Sequence, residues 1–421
     1  MSIDTPADAD AIDALLLHFA RTVFLDKPPR RIGVAVSGGG DSMALLHLYA
    51  RLARDDGFEV AVVTVDHGLR SDAAAEAAHV ARFCEAAGIS HDTLRWEGWD
   101  GKGNLMAAAR TARYRLIADW AHARGIGAVV LGHTADDQAE NFLIRLARKS
   151  GPDGLAGMDV RFERHGITWA RPLWQQSRKD LRDYLRRHGV AWIDDPTNED
   201  DTYERSRVRK ALVELEALGI TADVLKSVGV TMRATKDALD YYARIEAAKY
   251  IRQEHGDLVL HLPQTDPLPI EMRRRLWRAM LPWVSGASYP PRNTALFETI
   301  HGFSAEGNTT VGGCLITRKG EMWRVTREYN AVADLIGPTT AIWDNRWQLS
   351  GPHADDLEIR ALGDGIADCA GWRNTGLPRP SLLATPAVWR DDTLIAAPIA
   401  GLSNGWTAQI VADFHEEAFA H

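Results

Sequence analysis

Apolar residues in the first two hundred positions follow two alternating patterns, short continuous runs and longer stretches with helical spacing. Residues 32–36, Ile-Gly-Val-Ala-Val, form one run that stops at Ser-Gly-Gly-Gly, which reads as a buried strand entering a turn. Met43 to Leu52 then reads as a helix. The run VAVVTV at 60–65 supplies a second strand, and Asp72 to Ala87 a helical stretch closed by Gly88. Leu105, Ala109, Ala112, Leu116 and Trp120 recur near helical spacing and predict a helix over 105–123. AVVLGH at 128–133 is the next strand, and Ala135 to Arg148 the next helix.

This alternation predicts an α/β fold with an open, mostly parallel sheet. Such sheets bind ligands at the C-terminal ends of their strands. Three polar clusters fall there: Ser37 to Ser42, Asp66-His67-Gly68-Leu69-Arg70, and His133-Thr134-Ala135-Asp136-Asp137. Their shared placement points to one site. After an N-terminal helix and lead-in (1–29), the expected domains are a catalytic one (30–218), a helix-rich middle one (219–310) and a small C-terminal α/β or mostly β one (311–421).

A 421-residue chain with 45% hydrophobic residues has the apolar material for several cores, which sets aside a uniformly disordered polymer. The N-terminus places acids before its apolar run, unlike a secretory signal, and no apolar stretch approaches the roughly 20 residues needed to cross a bilayer. Cys84, Cys314 and Cys369 lie far apart, without zinc-ligand spacing. A cytoplasmic setting without a membrane partner is expected. The net charge of -8 gives no overall attraction to nucleic acid, yet residues 161–187 are locally basic and suited to phosphates.

The loop Ser37-Gly38-Gly39-Gly40-Asp41-Ser42 carries the most specific chemistry. Between a strand and a helix, its backbone N–H groups can converge on an anion, its glycines allow close approach, and its serine hydroxyls can donate to phosphate. Asp41 cannot donate when ionised, so its expected service is to hold magnesium, directly or through water. The loop is neither the GxxxxGK[ST] loop nor the G-x-G-x-x-G fingerprint.

SGGGDS resembles the loop of the N-type ATP pyrophosphatase (PP-loop) superfamily. VDHGLR at 65–70, NLMAAARTARY at 104–114, LGHTADDQAENFLIRLARKSGPDGLAGM at 131–158 and WIDDPTNEDDTYERSRVR at 192–209 resemble, more narrowly, the tRNA(Ile)-lysidine synthetase family. The likeness is dense over about 30–215 and weaker afterward. It implies an adenine nucleotide alpha-hydrolase type of sheet, ATP as cosubstrate with Mg2+, and tRNA(Ile) with a CAU anticodon and free L-lysine as partners. It leaves the oligomeric state open, with a dimer among the options.

The same resemblance assigns nucleotide contacts to the loop with Asp66 and His67, and catalytic work to Asp41, Arg113, His133 and Asp137. Asp41 and Asp137 are the magnesium candidates, Asp137 alternatively receiving the lysine ammonium. Arg70, Asn141, Arg205, Arg207 and Arg209 are substrate-binding candidates, Asn141 standing where the family has threonine. Spacing by four would align His133, Asp137 and Asn141 if the helix starts early enough, while Gln138 and Glu140 read as solvent-facing. Asp194 to Asn198 form a polar turn expected to help enclose the site. Arg373, Arg379 and Arg390 either meet the acceptor side of the tRNA or decorate a structural domain.

The implied reaction adenylates the C2 oxygen of wobble cytidine 34, releasing pyrophosphate, and the lysine ε-amine then attacks C2 and displaces AMP. Cys84 reads as a small buried residue, which disfavours sulfur transfer. The alternatives are a small-molecule amidotransferase or NAD synthetase-like ligase, and a noncatalytic tRNA-binding scaffold.

Overall fold

The computed structural model describes residues 6–24, 29–68, 73–97, 99, 101, 105–194, 204–263, 268–287, 291, 296 and 306–419. Arg70 and the turn residues Asp195 to Asn198 therefore lie outside the described residues. The chain divides into two compact units, Met1–Lys236 and Asp237–His421.

The first unit opens with α1 (Pro6–Thr22), β1 (Arg31–Ala35), α2 (Gly40–Asp56), β2 (Glu59–Asp66), α3 (Ala73–Ala87) and β3 (Ser90–Arg95). It continues through α4 (Leu105–Ala123), β4 (Ala128–Leu131), α5 (Ala135–Ala147), α6 (Pro152–Leu155), β5 (Arg161–Arg164), β6 (Ile167–Ala170), α7 (Arg178–Arg187) and α8 (Glu204–Glu216). Its sheet runs β3-β2-β1-β4-β6-β5; every neighbouring pair is parallel except β5 with β6. The expected parallel sheet is present, with a parallel strand β3 and an antiparallel edge hairpin that the apolar runs did not announce.

Strand periodicity splits the core in two. Ile32, Val34, Val62 and Val130 face a cluster containing Leu45, Leu48, Leu52, Leu181 and Leu185 from α2 and α7. Val63, Val129 and Leu131 face Tyr114, Ile117 and Trp120 of α4. The chain leaves β1 toward β2 and β3, then returns on the other side through β4. The crevice beyond β1 and β4 is thus the topological switch point where ligands bind in such sheets.

Helix α9 (Ala222–Tyr250) contains the dividing point between the units. The second unit holds an antiparallel sheet ordered β7-β8-β11-β10-β9, built from β7 (Ile251–Glu254), β8 (Asp257–His261), β9 (Glu306–Val311), β10 (Cys314–Lys319) and β11 (Met322–Arg327). Helix α10 (Ile270–Ser285) buries Leu276, Trp277, Met280 and Leu281 in the same core as Ile316 and Val325 of that sheet. A four-stranded and a two-stranded sheet follow, giving the helical middle and β-rich terminus that the sequence predicts.

Candidate functional site

The glycine loop leaves β1 and becomes the first turn of α2. Gly38 has φ +90°, a conformation that side chains rarely adopt, and the extended Gly39 is the N-cap. The two serines take different tasks. Ser42 Oγ is buried, donates to the Gly39 carbonyl at 2.9 Å and lies 3.2 Å from the Ser37 N–H, so it holds the loop's shape. Ser37 is exposed and remains the better placed hydroxyl for phosphate. The first amides of α2, at Gly40, Asp41 and Ser42, have no carbonyl available within the helix. Gly38 O also accepts the Ile193 N–H at 3.0 Å, and Trp192 and Arg182 lie near Gly40. Residues 192 and 193 and α7 thereby brace the loop.

Asp41, in the first turn of α2, meets α5 through an arginine that local sequence patterns did not single out. Arg178, first residue of α7, donates from Nε to Asp41 at 3.1 Å, from one terminal nitrogen to Asp137 at 2.8 Å and from the other to Glu140 at 2.7 Å. Its backbone N–H donates to Asp136 at 2.8 Å. A guanidinium can do this because its donors form a planar fork. Glu140 is fully buried and Gln138 nearly so, which corrects the solvent-facing expectation: the polar side of α5 packs inward. Gln138 binds the Met158 backbone through both amide atoms.

Thr134 explains why α5 starts where it does. Its hydroxyl and Asp137 form a capping box, and Asp137 Oδ2 accepts from the Thr134 N–H at 2.9 Å and its hydroxyl at 3.1 Å. His133 therefore precedes the cap, and the helical alignment of His133 with Asp137 and Asn141 does not form. Asn141 is half-buried on α5. The strand ends also press together. A Cβ on Gly132 would sit 3.1 Å from the Asp41 carbonyl oxygen and the Ser42 Cα, so the backbone after β4 touches the start of α2 only because position 132 lacks a side chain.

The carboxylates titrate differently for identifiable reasons. Burial pushes Asp41 up to about 6; Arg178 opposes this, and the nearby Asp137 charge adds to it. Burial acts the same way on Asp137, but Arg178, His133, Arg205 and the Thr134 N–H outweigh it and hold that carboxyl below its ordinary value. Each carboxylate takes one nitrogen of the guanidinium, and Asp137 differs in having His133, Arg205 and the Thr134 N–H as well. On Arg178, burial disfavours the cation while Asp137, Glu140 and Asp41 more than reverse the effect.

A cationic zone adjoins this acidic one. Arg171 is buried, packs over Phe162 and donates to His133 Nδ1 at 3.2 Å. Burial pulls His133 down to about 3; Asp137 opposes this, while Arg171, Arg110 and Arg205 reinforce it. The imidazole is therefore neutral at physiological pH, with Nδ1 the acceptor and Nε2 carrying the proton. Arg113 donates to His67 Nε2 at 3.0 and 3.2 Å, and burial followed by Arg110 lowers its own pKa. Asp66 accepts the Gly68 N–H at 2.8 Å and closes the turn after β2. On α8, Arg209 reaches Glu140 at 2.6 Å, Arg205 lies 3.8 Å from Asp137, and Arg207 is exposed.

Among the described residues no three His, Cys, Asp or Glu side chains converge as a complete metal cage. The acids instead face Arg178 from different sides. Two carboxylates, Asp41 and Asp137, beside a phosphate-binding loop fit the chemistry of magnesium, which commonly takes one or two carboxylates and completes its shell with phosphate and water.

A PP-loop domain model matches residues 13–216. The chain is 46% identical to a tRNA(Ile)-lysidine synthase of Ruegeria pomeroyi over 96% of its own length and 98% of the relative's. It is 34% identical to one of Brucella anthropi, covering 86% and 84% of the two chains, and 32% identical to one of Wolbachia pipientis, covering 76% and 77%.

Proposed function

The chain belongs to the tRNA(Ile)-lysidine synthase family, and from that premise we propose that it joins L-lysine to C2 of wobble cytidine 34 in tRNA(Ile) with a CAU anticodon, consuming ATP. The observation that carries this reading is the meeting, at one switch point, of a phosphate-binding loop, an acidic pocket and buried arginines around a neutral histidine.

The cytosine O2 forms a bond to the α-phosphorus of ATP as the bond to pyrophosphate breaks. The loop amides and Ser37 bind the phosphates. Arg113 and the Nε2 proton of His133 contact the negative charge that grows around the transferred adenylyl group. The ε-nitrogen of lysine then bonds to C2, and the C2–O bond breaks with AMP carrying that oxygen away. The carboxylates of the pocket attract the incoming ammonium, which must lose a proton to one of them before its nitrogen attacks. Magnesium, when bound, supplies neutralisation of the departing pyrophosphate, and Asp41 with Asp137 would hold it. Arg205, Arg207 and Arg209 are assigned to the RNA side of the pocket.

The test is pyrophosphate release by wild type and Asp41→Ala with lysine and isoleucine tRNAs bearing cytidine or uridine at the wobble position, followed by nucleoside mass analysis. Lysine-mass addition is expected only on the cytidine tRNA, with a loss on the order of 10²–10³-fold in the variant. ATP consumption without tRNA and without that product would sink the reading in favour of a small-molecule ligase.

A further inference from the structure

We propose that Arg178 is an internal counter-cation that keeps the acidic pocket assembled and closed to free divalent metal, and that it must release Asp41 and Asp137 before metal enters with the nucleotide. This rests on the ATP-dependent reading above and adds an order of events to it.

The argument begins with oxygen valences. Asp137 Oδ2 already takes two donors from Thr134, which leaves Oδ1, and Oδ1 accepts Arg178 at 2.8 Å. A metal ion and a guanidinium cannot share the inward side of that atom without like charges meeting in a pocket where both are poorly screened. Metal coordination by Asp137 therefore competes with the bond from Arg178.

The contacts are also unequal. The Asp41 arm is the longest of the three, and the Asp41 side chain is 22% exposed, against 8% for Asp137 and 0% for Glu140. Asp41 is thus the contact that gives first. Glu140 is the anchor, since its Oε1 accepts both Arg178 and Arg209. Glu140 Oε2 is buried and makes no hydrogen bond, with Arg205 Nε 4.0 Å away, so Arg178 holds this carboxylate through Oε1 alone. The backbone of Arg178 is fixed by Asp136 and by the Ser177 cap of α7, which confines the exchange to the side chain.

The test uses Mn2+ as the metal probe on the full chain, without nucleotide, lysine or tRNA, followed by electron paramagnetic resonance titration. Wild type should bind Mn2+ only at millimolar concentrations. Arg178→Met should bind at least tenfold tighter, and Asp41→Asn added to it should abolish that gain. Arg178→Lys keeps the charge but reaches fewer carboxylates, so it should tighten binding severalfold; it decides the matter if the methionine variant does not fold. Micromolar binding by wild type, or no tightening in a folded Arg178 variant, would overturn the proposal. Because no reaction is run, a failed exchange and a failed assignment of lysidine synthesis give different results.

Discussion

Two buried acidic clusters, one in each unit, are built from the same residue types and end in opposite states. In the second unit Asp257 Oδ1 accepts the Thr326 hydroxyl at 2.6 Å, while Oδ2 accepts Arg324 at 2.7 Å and Ser381 at 2.5 Å. Arg324 also reaches Glu254. Both oxygens of that aspartate are served, and the cluster ties β7, β8, β11 and the short helix Arg379–Leu383 together. In the first unit Arg178 is divided among Asp41, Asp137 and Glu140, with Arg209 also on Glu140 Oε1 and Arg205 4.0 Å from its Oε2. Donors that converge on one carboxylate make a clamp; one guanidinium divided among three carboxylates makes contacts that can be exchanged one at a time. Burial alone does not distinguish the two.

The largest stability effect that tests this contrast is at the clamp. Asp257→Ala strands Arg324, Thr326 and Ser381 around a vacated position and should destabilise the second unit by roughly 3–5 kcal/mol, measured by urea denaturation. A loss below about 1 kcal/mol would show that the cluster is not holding its sheet.

At the pocket the sign should reverse. Asp41 has a folded pKa near 6, above its ordinary 3.8, so the folded state favours its protonated form. The stability this group contributes is present below pH 4 and is lost as pH rises through 6. Asp41→Asn removes the charge that costs stability and should gain on the order of 2–3 kcal/mol at pH 8 and about half of that at pH 5, read as urea midpoints. Destabilisation at pH 8 would mean that Arg178 more than compensates Asp41.

The smallest effect belongs to a buried group with no charge to relieve. Cys84 lies in the core beside α2 and burial pushes its thiol up to about 12. Iodoacetamide at pH 8 should leave it unlabelled in the native protein and leave turnover unchanged, checked by intact mass and pyrophosphate release.

Those clusters also show what a sequence makes legible. The glycine loop could be read because its chemistry is local: the apolar run, the glycines and Asp41 are consecutive. The capped start of α5 is local too, and Asp137 was found with it. Arg178 was hidden because its carboxylate partners lie 137, 41 and 38 residues away, and among the neighbouring basic residues it looked like one more phosphate contact. Glu140 was misread because which face of α5 turns inward depends on α7 and α8, not on α5. The strand β3, Ser-His-Asp-Thr-Leu-Arg, escaped notice because an edge strand has half-exposed positions and no apolar run. The hairpin β5–β6 was masked by its arginines, whose long stems cover aromatic rings, as Arg164 covers Tyr114.

The bare backbone at Gly132 has a consequence for how such a pocket can change. Its width is set by two main chains in direct contact, so there is no side chain there to trim or enlarge. A single methyl at that position would act as a shim driven between the two halves of the crevice, moving the nucleotide loop away from α5 as a block. Substrate scope can be tuned around the rim by exchanging residues one at a time, but the gauge of the crevice can be altered only by shifting whole strands.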